Sequence, residues 1–337
     1  MKRVQLTFLL LTLAIGTAWG QVNVQTVNVQ TNVTYAVHDG VPLYGDLYLP
    51  ASAATHPAML FIHGGAWFRG SKAGYGTTWG PYLAARGYVV FAIDYRLATP
   101  TQHTWPKVLL DCKAALQYLR GNASALGVDP DRIGVGGDSA GGELSAMLAL
   151  TQDWPMFANG YPEDAYASVS TKVKVAVPIY GVHDMLAWWK YTTTSRTDQP
   201  LEQLFGGTPY EVAGSYFEAS PMSYVRESAA SLNEVLTPNS GTSIPWFLAW
   251  GLDDPIVPAA SQSIAFVDAL RDAGAKVTAV PVPNIGHFWF TASAITEQRG
   301  ISTCVTGAPP VFPVTCAGAT PNDFIAPKLL EFLADNL

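Results

Sequence analysis

The sequence predicts an α/β fold in which a mostly parallel sheet carries helices on both faces. Three observations carry that expectation. Residues 58–63 and 88–94 are unbroken apolar runs of strand length, as strands buried on both faces require. Such runs alternate with stretches of helical periodicity, and that alternation builds parallel sheets through crossover helices. Between one such strand and its helix lies Gly134-Val-Gly-Gly-Asp-Ser-Ala-Gly-Gly-Glu143. Within it, Gly137-x-Ser139-x-Gly141 has the form of a nucleophile elbow. A strand that turns abruptly into a helix strains its middle residue, and glycines flank it because side chains there would collide with neighbouring backbone.

The elements follow in order. Val22-Asn-Val-Gln-Thr26 is repeated at once over residues 27–31, and reads as an edge strand or hairpin rather than a repeat architecture. Residues 41–49 form the next strand, followed by the strands at 58–63 and 88–94. A helix over 107–119 precedes the strand at 131–136. Leu144, Met147 and Leu148 recur at helical spacing after Ser139, so a helix follows the elbow. Strands at 173–180, 244–250 and 276–282 come next, with helices near 261–271 and 323–333. Residues 181–243 break the alternation: no strong strand is present, but Trp188, Trp189, Tyr191, Phe205, Tyr210, Tyr216, Phe217 and Tyr224 are. A long excursion after a central strand is expected as a helical lid insertion. The competing expectation is a structural subdomain whose aromatics fill their own small core.

Composition bounds the function. The chain has 337 residues, of which 49% are hydrophobic and 13% charged, which suits a large core and excludes disorder. The net charge is −7 and no basic cluster follows the first three residues, so nucleic acid and anionic membranes are not expected partners. Lys2 and Arg3, a short apolar core and Ala18-Trp-Gly20 have the form of a secretion signal over residues 1–20. The expectation is a single catalytic domain over 21–337, secreted or periplasmic, with no stable membrane insertion. Cys304 and Cys316 flank a proline-rich loop and are the expected disulfide pair, worth about 3 kcal/mol in the chain-entropy model. Cys112 shares a helical stripe with Val108, Leu109, Ala115, Leu116 and Leu119, and is expected as a buried free thiol.

A serine hydroxyl needs a base within hydrogen-bond reach, and that base needs an acid to fix its tautomer. Of six histidines, His38, His56 and His103 lie in polar or loop stretches and read as surface residues. His183 ends a strand and is the weaker candidate. His287 follows the last strand, on the sheet edge where ligands of open α/β sheets gather. By the same argument the acid follows the preceding strand, where Asp253 and Asp254 both stand. The order Ser…Asp…His is that of the α/β-hydrolase arrangement. Gly64-Gly-Ala-Trp67 follows His63, and its backbone N–H groups, with that of Ala140, make an oxyanion hole. His63 itself reads as a loop-orienting residue.

As an ordered set, His63-Gly-Gly-Ala, Asp94-Tyr-Arg-Leu-Ala98, Gly136-Gly-Asp-Ser-Ala-Gly-Gly142, residues 251–258 and Gly286-His287 resemble the hormone-sensitive-lipase-like branch of the α/β-hydrolase esterases. The set is also similar to the secreted carbohydrate and feruloyl esterases. The resemblance implies an α/β-hydrolase fold and a serine carboxylesterase acting through an acyl-enzyme on Ser139, with His287 as base. It favours Asp254 over Asp253, since the family carries Gly-x-x-Asp-x-x-Val-Pro here. It implies Gly65, Ala66 and Ala140 as oxyanion donors, and Ala219-Ser-Pro221 as scaffold. No metal or organic cofactor is called for. Departures are Ala66 in place of a third glycine, Thr99-Pro-Thr101 after Ala98, and Glu143 where Asn or His is common.

The expected substrate is a small-molecule carboxylic ester, with plant-polymer esters suggested by family analogy alone. Trp67, Trp188, Trp189, Phe288 and Trp289 are the expected substrate-binding aromatics, suited equally to aryl, feruloyl or short aliphatic acyl groups. An amidase or peptidase would use the same machinery. A catalytically silent binding module is the alternative from another class, and the intact Ser, Asp and His stand against it.

Overall fold

In the computed structural model, which describes residues 26–157, 160–228, 240–298, 303–306 and 314–337, eight strands form one sheet. The segment expected as a signal peptide lies outside the described residues. The strands are β1 (Val27–His38), β2 (Val41–Pro50), β3 (His56–Ile62), β4 (Val89–Ile93), β5 (Val128–Asp138), β6 (Ala176–Ile179), β7 (Trp246–Gly251) and β8 (Val277–Val282). Their order is β1-β2-β4-β3-β5-β6-β7-β8. β2 runs antiparallel to both its neighbours, and from β4 to β8 every pairing is parallel. Every residue of β4, β6 and β7 is buried, which is what the unbroken apolar runs anticipated.

Strand order reverses at β3, which pairs with β4 on one side and β5 on the other. The carboxyl ends of β3 and β5 therefore flank a topological switch point, the usual ligand crevice of an open α/β sheet. His63-Gly64 leaves β3 there, and Ser139 leaves β5.

The helices include α1 (Lys107–Gly121), α2 (Ala140–Thr151), α3 (Met185–Ser195), α4 (Ala265–Asp272) and α5 (Pro321–Asn336), of which α1, α2, α4 and α5 pack on strands of the sheet. All twelve residues of α2 are buried, so the helix behind Ser139 is enclosed on every face. Cys112 is a buried free thiol on α1, and burial pushes its pKa up. α4 is preceded by a π-helical turn, Ala260–Ile264, that buries Gln262. α5 opens on a capping box between Thr320 and Asp323. No helix among the described residues is long and apolar enough to cross a membrane.

The excursion between β6 and β7 is helical where it is described: α3, Pro200–Phe205, Ala213–Glu218, Pro221–Ser228 and Ser240–Ser243. Some of its rings pack on one another, with Phe205 and Tyr216 at 4.6 Å and Trp189 edge-on to Tyr210 at 5.9 Å. Others join the main core, Trp188 on Trp67, Phe205 on Trp105 and Tyr224 on Trp154, so the aromatics do not form a core of their own. Ser220 is buried, accepting from the Met185 N–H at 2.9 Å and donating to the Tyr216 carbonyl at 2.8 Å, as a scaffold residue would. Near the C-terminus a two-stranded ribbon, β9 (Thr303–Thr306) and β10 (Val314–Ala317), sets Cys304 opposite Cys316 in register.

Two histidines expected at the surface are buried. His56 ends against the Ser52 hydroxyl and the Gly87 carbonyl. His38 is fully enclosed, with Nδ1 2.7 Å from Asp111 and Nε2 2.8 Å from Asp164, and it stacks on Tyr161 at 3.6 Å. Neither carboxylate is near His38 in sequence, which is why the ring looked unpartnered. Arg96 grips the same Asp111 through Nε and Nη2 and reaches Asp39, which Lys107 also holds. This network clamps the end of β1 onto α1. Burial lowers the His38 pKa, but the hydrogen bonds to Asp111 and Asp164 outweigh it and the net shift is upward.

A histidine raised in the folded state stabilises fully below its unfolded pKa, about 6.5, and loses that contribution as pH rises through the folded value. Replacing His38 by Gln removes the cation shared by Asp164 and Asp111, leaving Asp111 on Arg96, and the expected loss is about 3 kcal/mol near pH 6. Thermal unfolding should show the gap between parent and variant narrowing from pH 6 to pH 9. A gap independent of pH would show that His38 carries no charge in the fold.

Candidate active site

Ser139 sits at φ 56°, ψ −117°, a strained conformation at the turn from β5 into α2. The surrounding backbone leaves no alternative. A Cβ on Gly141 would lie 1.9 Å from the Ile62 carbonyl oxygen, and one on Gly137 would lie 2.3 Å from that of Gly141. Both positions therefore require glycine, and α2 starts in direct contact with the end of β3.

The loop after β8 brings His287 to this point. His287 Nε2 is 2.9 Å from Ser139 Oγ, and His287 Nδ1 is 2.6 Å from Asp254 Oδ2. Asp254 Oδ1 accepts the N–H groups of Ile256 and Val257 at 2.8 and 3.0 Å, which aims the other oxygen at the imidazole. Asp253 is exposed, and its backbone N–H donates to Ile285. The ambiguity between the two acids is thus resolved by geometry. With Nδ1 donating to the carboxylate, Nε2 is free to accept the serine proton.

The loop after β3 lies against the elbow. A Cβ on Gly64 would meet Ser139 Cβ at 3.0 Å, so the two loops are in contact. Gly65, Ala66 and Trp67 all have positive φ, at 126°, 52° and 62°. Gly65 and Ala66 remain partly exposed. Among the described residues, no acceptor takes a hydrogen bond from the N–H of Gly65, Ala66 or Ala140. Three free donors at the start of a helix and in an adjacent loop suit a developing oxyanion.

The five aromatics expected at the substrate divide. Trp67, Trp188 and Trp289 are at most 2% exposed and belong to the core. Trp67 donates its indole N–H to Glu143, and Trp188 donates to the Ile256 carbonyl. Trp289 packs edge-on to Tyr180 at 5.3 Å. With no free surface, these three are not walls of an open site. Trp189 lies in the excursion, donating to Glu202. Phe288 is the partly exposed ring next to the chemistry, with its centroid 4.6 Å from that of His287.

Asp138, Tyr180 and Asn322 are site residues to which the sequence assigned no role. Asp138 is buried beside the elbow and accepts from the Tyr75 hydroxyl at 2.8 Å and the Gly64 N–H at 3.1 Å, tying the two loops together. Burial pushes its carboxyl pKa upward against those two donors. Tyr180 packs on the His287 ring at 4.4 Å. Asn322, from α5, donates to the carbonyls of Phe290 and Ser293 at 2.9 and 2.6 Å and fixes the loop carrying His287. His63 stacks on Tyr95 and contacts the Gly64 carbonyl through Nδ1, within its own loop. His183 is buried on Phe266, and burial alone pushes its pKa to about 3, so it stays neutral. A polar cavity of about 340 Å³ lined by His38, Lys113 and Asp153 shares none of the Ser139 site's residues.

The BD-FAE family model matches residues 45–270, well over half of the chain, and takes in Ser139 and Asp254. The chain belongs to the BD-FAE family. Among other members of the wider likeness, the probable carboxylic ester hydrolase LipM of Mycobacterium tuberculosis is 34% identical over 223 residues, 64% of this chain and 45% of that protein. Esterase LipQ of the same organism is 32% identical over 74% of this chain and 54% of its own length. The chain spans about half the length of the curated relatives it matches. In structure, this BD-FAE chain is similar to a truncated carbohydrate esterase from gut microbiota, with TM-score 0.63 and 27% identity over 79% of this chain and 90% of the other. It is also similar to the propionate-bound esterase Est2 of Thermogutta terrifontis, with TM-score 0.58 and 26% identity over 80% and 87% of the two chains. The fold is that of the α/β-hydrolases.

If Asp254 orients His287, Asp254→Asn should slow reaction of Ser139 with a fluorophosphonate on the order of a thousandfold or more. Asp253→Asn should react at close to the parent rate. Equal rates in the two variants would remove Asp254 from the site.

Proposed function

We propose that the chain is a serine carboxylesterase that hydrolyses short-chain carboxylic esters through an acyl-enzyme on Ser139. The observation that carries the reading is the line of hydrogen bonds from Ser139 through His287 to Asp254. His287 Nε2 takes the proton as Ser139 Oγ attacks the ester carbonyl carbon. The oxyanion forms within reach of the Gly65, Ala66 and Ala140 N–H groups. Collapse breaks the bond to the alkoxy group, which leaves with the proton from His287. Water then attacks the acyl-enzyme by the same route, releasing the acid and restoring the serine.

Short acyl chains are favoured by what the site lacks. Each buried methylene is worth about 0.8 kcal/mol only while it finds apolar surface. Three of the five aromatics that could have supplied such surface are packed into the core, and Ala66 adds a methyl beside the acyl position. The propionate bound to Est2 agrees with a short acyl site. Likeness to a gut carbohydrate esterase makes acetylated sugars a natural alcohol side to try. We further propose that the protein is exported and that Cys304 and Cys316 form a disulfide, on the strength of the N-terminal composition and the facing register of the two cysteines.

Ser139→Ala should fold as the parent does and lose hydrolysis by about 10⁶-fold. With a series of p-nitrophenyl esters, activity should peak at acyl chains of about two to four carbons and fall beyond them. An optimum at long chains, or undiminished hydrolysis by Ser139→Ala, would overturn the reading. Trp188→Ala should lower the unfolding temperature, since it empties a buried site, and leave chain-length preference in place; a shifted preference would put Trp188 at the substrate after all.

A further inference from the structure

Glu143 lies on the first turn of α2, four residues after Ser139, and is completely buried. Its Oε2 accepts the Trp67 indole N–H at 2.9 Å, and its Oε1 has no partner among the described residues. Among the described residues no cation pairs with it. An ionised carboxylate held by one neutral donor in an apolar site is too costly, and burial pushes the Glu143 pKa well above the usual carboxylate range. The neutral acid is therefore favoured over the carboxylate, and Oε2 accepts the indole N–H in either form.

What it holds is the strained end of the oxyanion loop. Gly65, Ala66 and Trp67 are three successive residues at positive φ, two of them not glycine. Such conformations cost energy and persist only where the surroundings fix them. The backbone is fixed at three places: Gly64 N–H on Asp138, Gly65 carbonyl under the N–H groups of Phe68 and Arg69, and Trp67 carbonyl under Ala98 N–H at 2.8 Å. The side-chain anchor is the Trp67 indole on Glu143. Trp67 also meets Trp188 edge-on at 5.8 Å, and Trp188 donates to the carbonyl of Ile256, whose own N–H holds Asp254. One buried chain of contacts thus joins the elbow helix, the oxyanion loop, the excursion and the acid loop.

We propose that Glu143 is a positioning residue, acting through the Trp67 indole to hold the Gly65 and Ala66 N–H groups where the transition-state oxyanion forms. This rests on the esterase reading above. A hydrogen-bond donor or a cation at Oε1 would favour the carboxylate, and Oε1 has neither among the described residues.

The test compares Glu143→Leu, Glu143→Gln and Trp67→Phe in the full chain. Glu143→Leu keeps the volume and removes the acceptor, and should lower kcat on the order of 100-fold with KM little changed. Its affinity for an aryl trifluoromethyl ketone, whose adduct places an oxyanion in the same hole, should fall in proportion. Glu143→Gln keeps the acceptor and should recover most of the lost kcat. Trp67→Phe removes the donor and should mimic Glu143→Leu, and the double variant should be no worse than either single one. A role confined to stability would lower the unfolding temperature and leave kcat and ketone affinity of the folded fraction at the parent values, which would overturn the proposal. So would additive losses in the double variant. Should Glu143→Leu fail to fold, the Trp67→Phe and Glu143→Gln pair decides by the same readouts. Loss of Ser139-dependent hydrolysis in the parent itself would instead strike the esterase reading, and the proposal with it.

Discussion

The site depends on one contact, the packing of the start of α2 against the end of β3. Gly141 touches the Ile62 carbonyl so closely that no side chain fits, and this closeness forces Ser139 into its strained turn. The strain costs on the order of 1–3 kcal/mol. It is held because β5 pairs with β3 over several residues and α2 is enclosed on every face, so no local relaxation is open. The same contact brings Gly64 against Ser139, which places the free N–H groups of one loop beside the hydroxyl of the other. The placement of the Ser139 hydroxyl and of the neighbouring free N–H groups therefore follows from a single packing constraint at the switch point.

Around that contact the loops are secured by buried polar side chains in addition to backbone hydrogen bonds. Asp138 ties the oxyanion loop to the elbow, and Asn322 ties the His287 loop to α5. Gln262 receives the N–H groups of His183 and Asp184, fixing the chain where it leaves β6. Glu143 anchors Trp67. Each is buried with its partners inside the protein, where a hydrogen bond is strong and an unmade one is costly. Loops built this way are rigid, and a catalytic constellation needs groups set to within a fraction of an ångström.

The strands and their order of chemistry were legible because the signals are local. Unbroken apolar runs marked the central strands, and the glycine spacing around Ser139 marked the elbow. Boundaries were less legible: β5 runs from Val128 to Asp138, longer than its apolar stretch, because Val128 pairs with His56 of β3 ahead of an irregularity, and regular pairing resumes only at Ile133. The choice between Asp253 and Asp254 was not readable from the residues alone, since it depends on which carboxylate the N–H groups of Ile256 and Val257 turn inward. His38 was misjudged because its partners lie 73 and 126 residues away. Trp67 and Trp289 stand next to site motifs and Trp188 in the expected lid, and position in sequence says nothing of whether a ring faces the crevice or the core. Burial is a property of the whole fold.

The central claim is that Ser139 carries the acyl group between two half-reactions. Rapid acid quenching during turnover of p-nitrophenyl butyrate, followed by peptide mass mapping, measures it directly. The account predicts a butyryl adduct on the peptide containing Ser139, formed in a burst before steady state and lost when substrate is exhausted. Steady hydrolysis with no adduct on Ser139, or with the adduct on another residue, would contradict it.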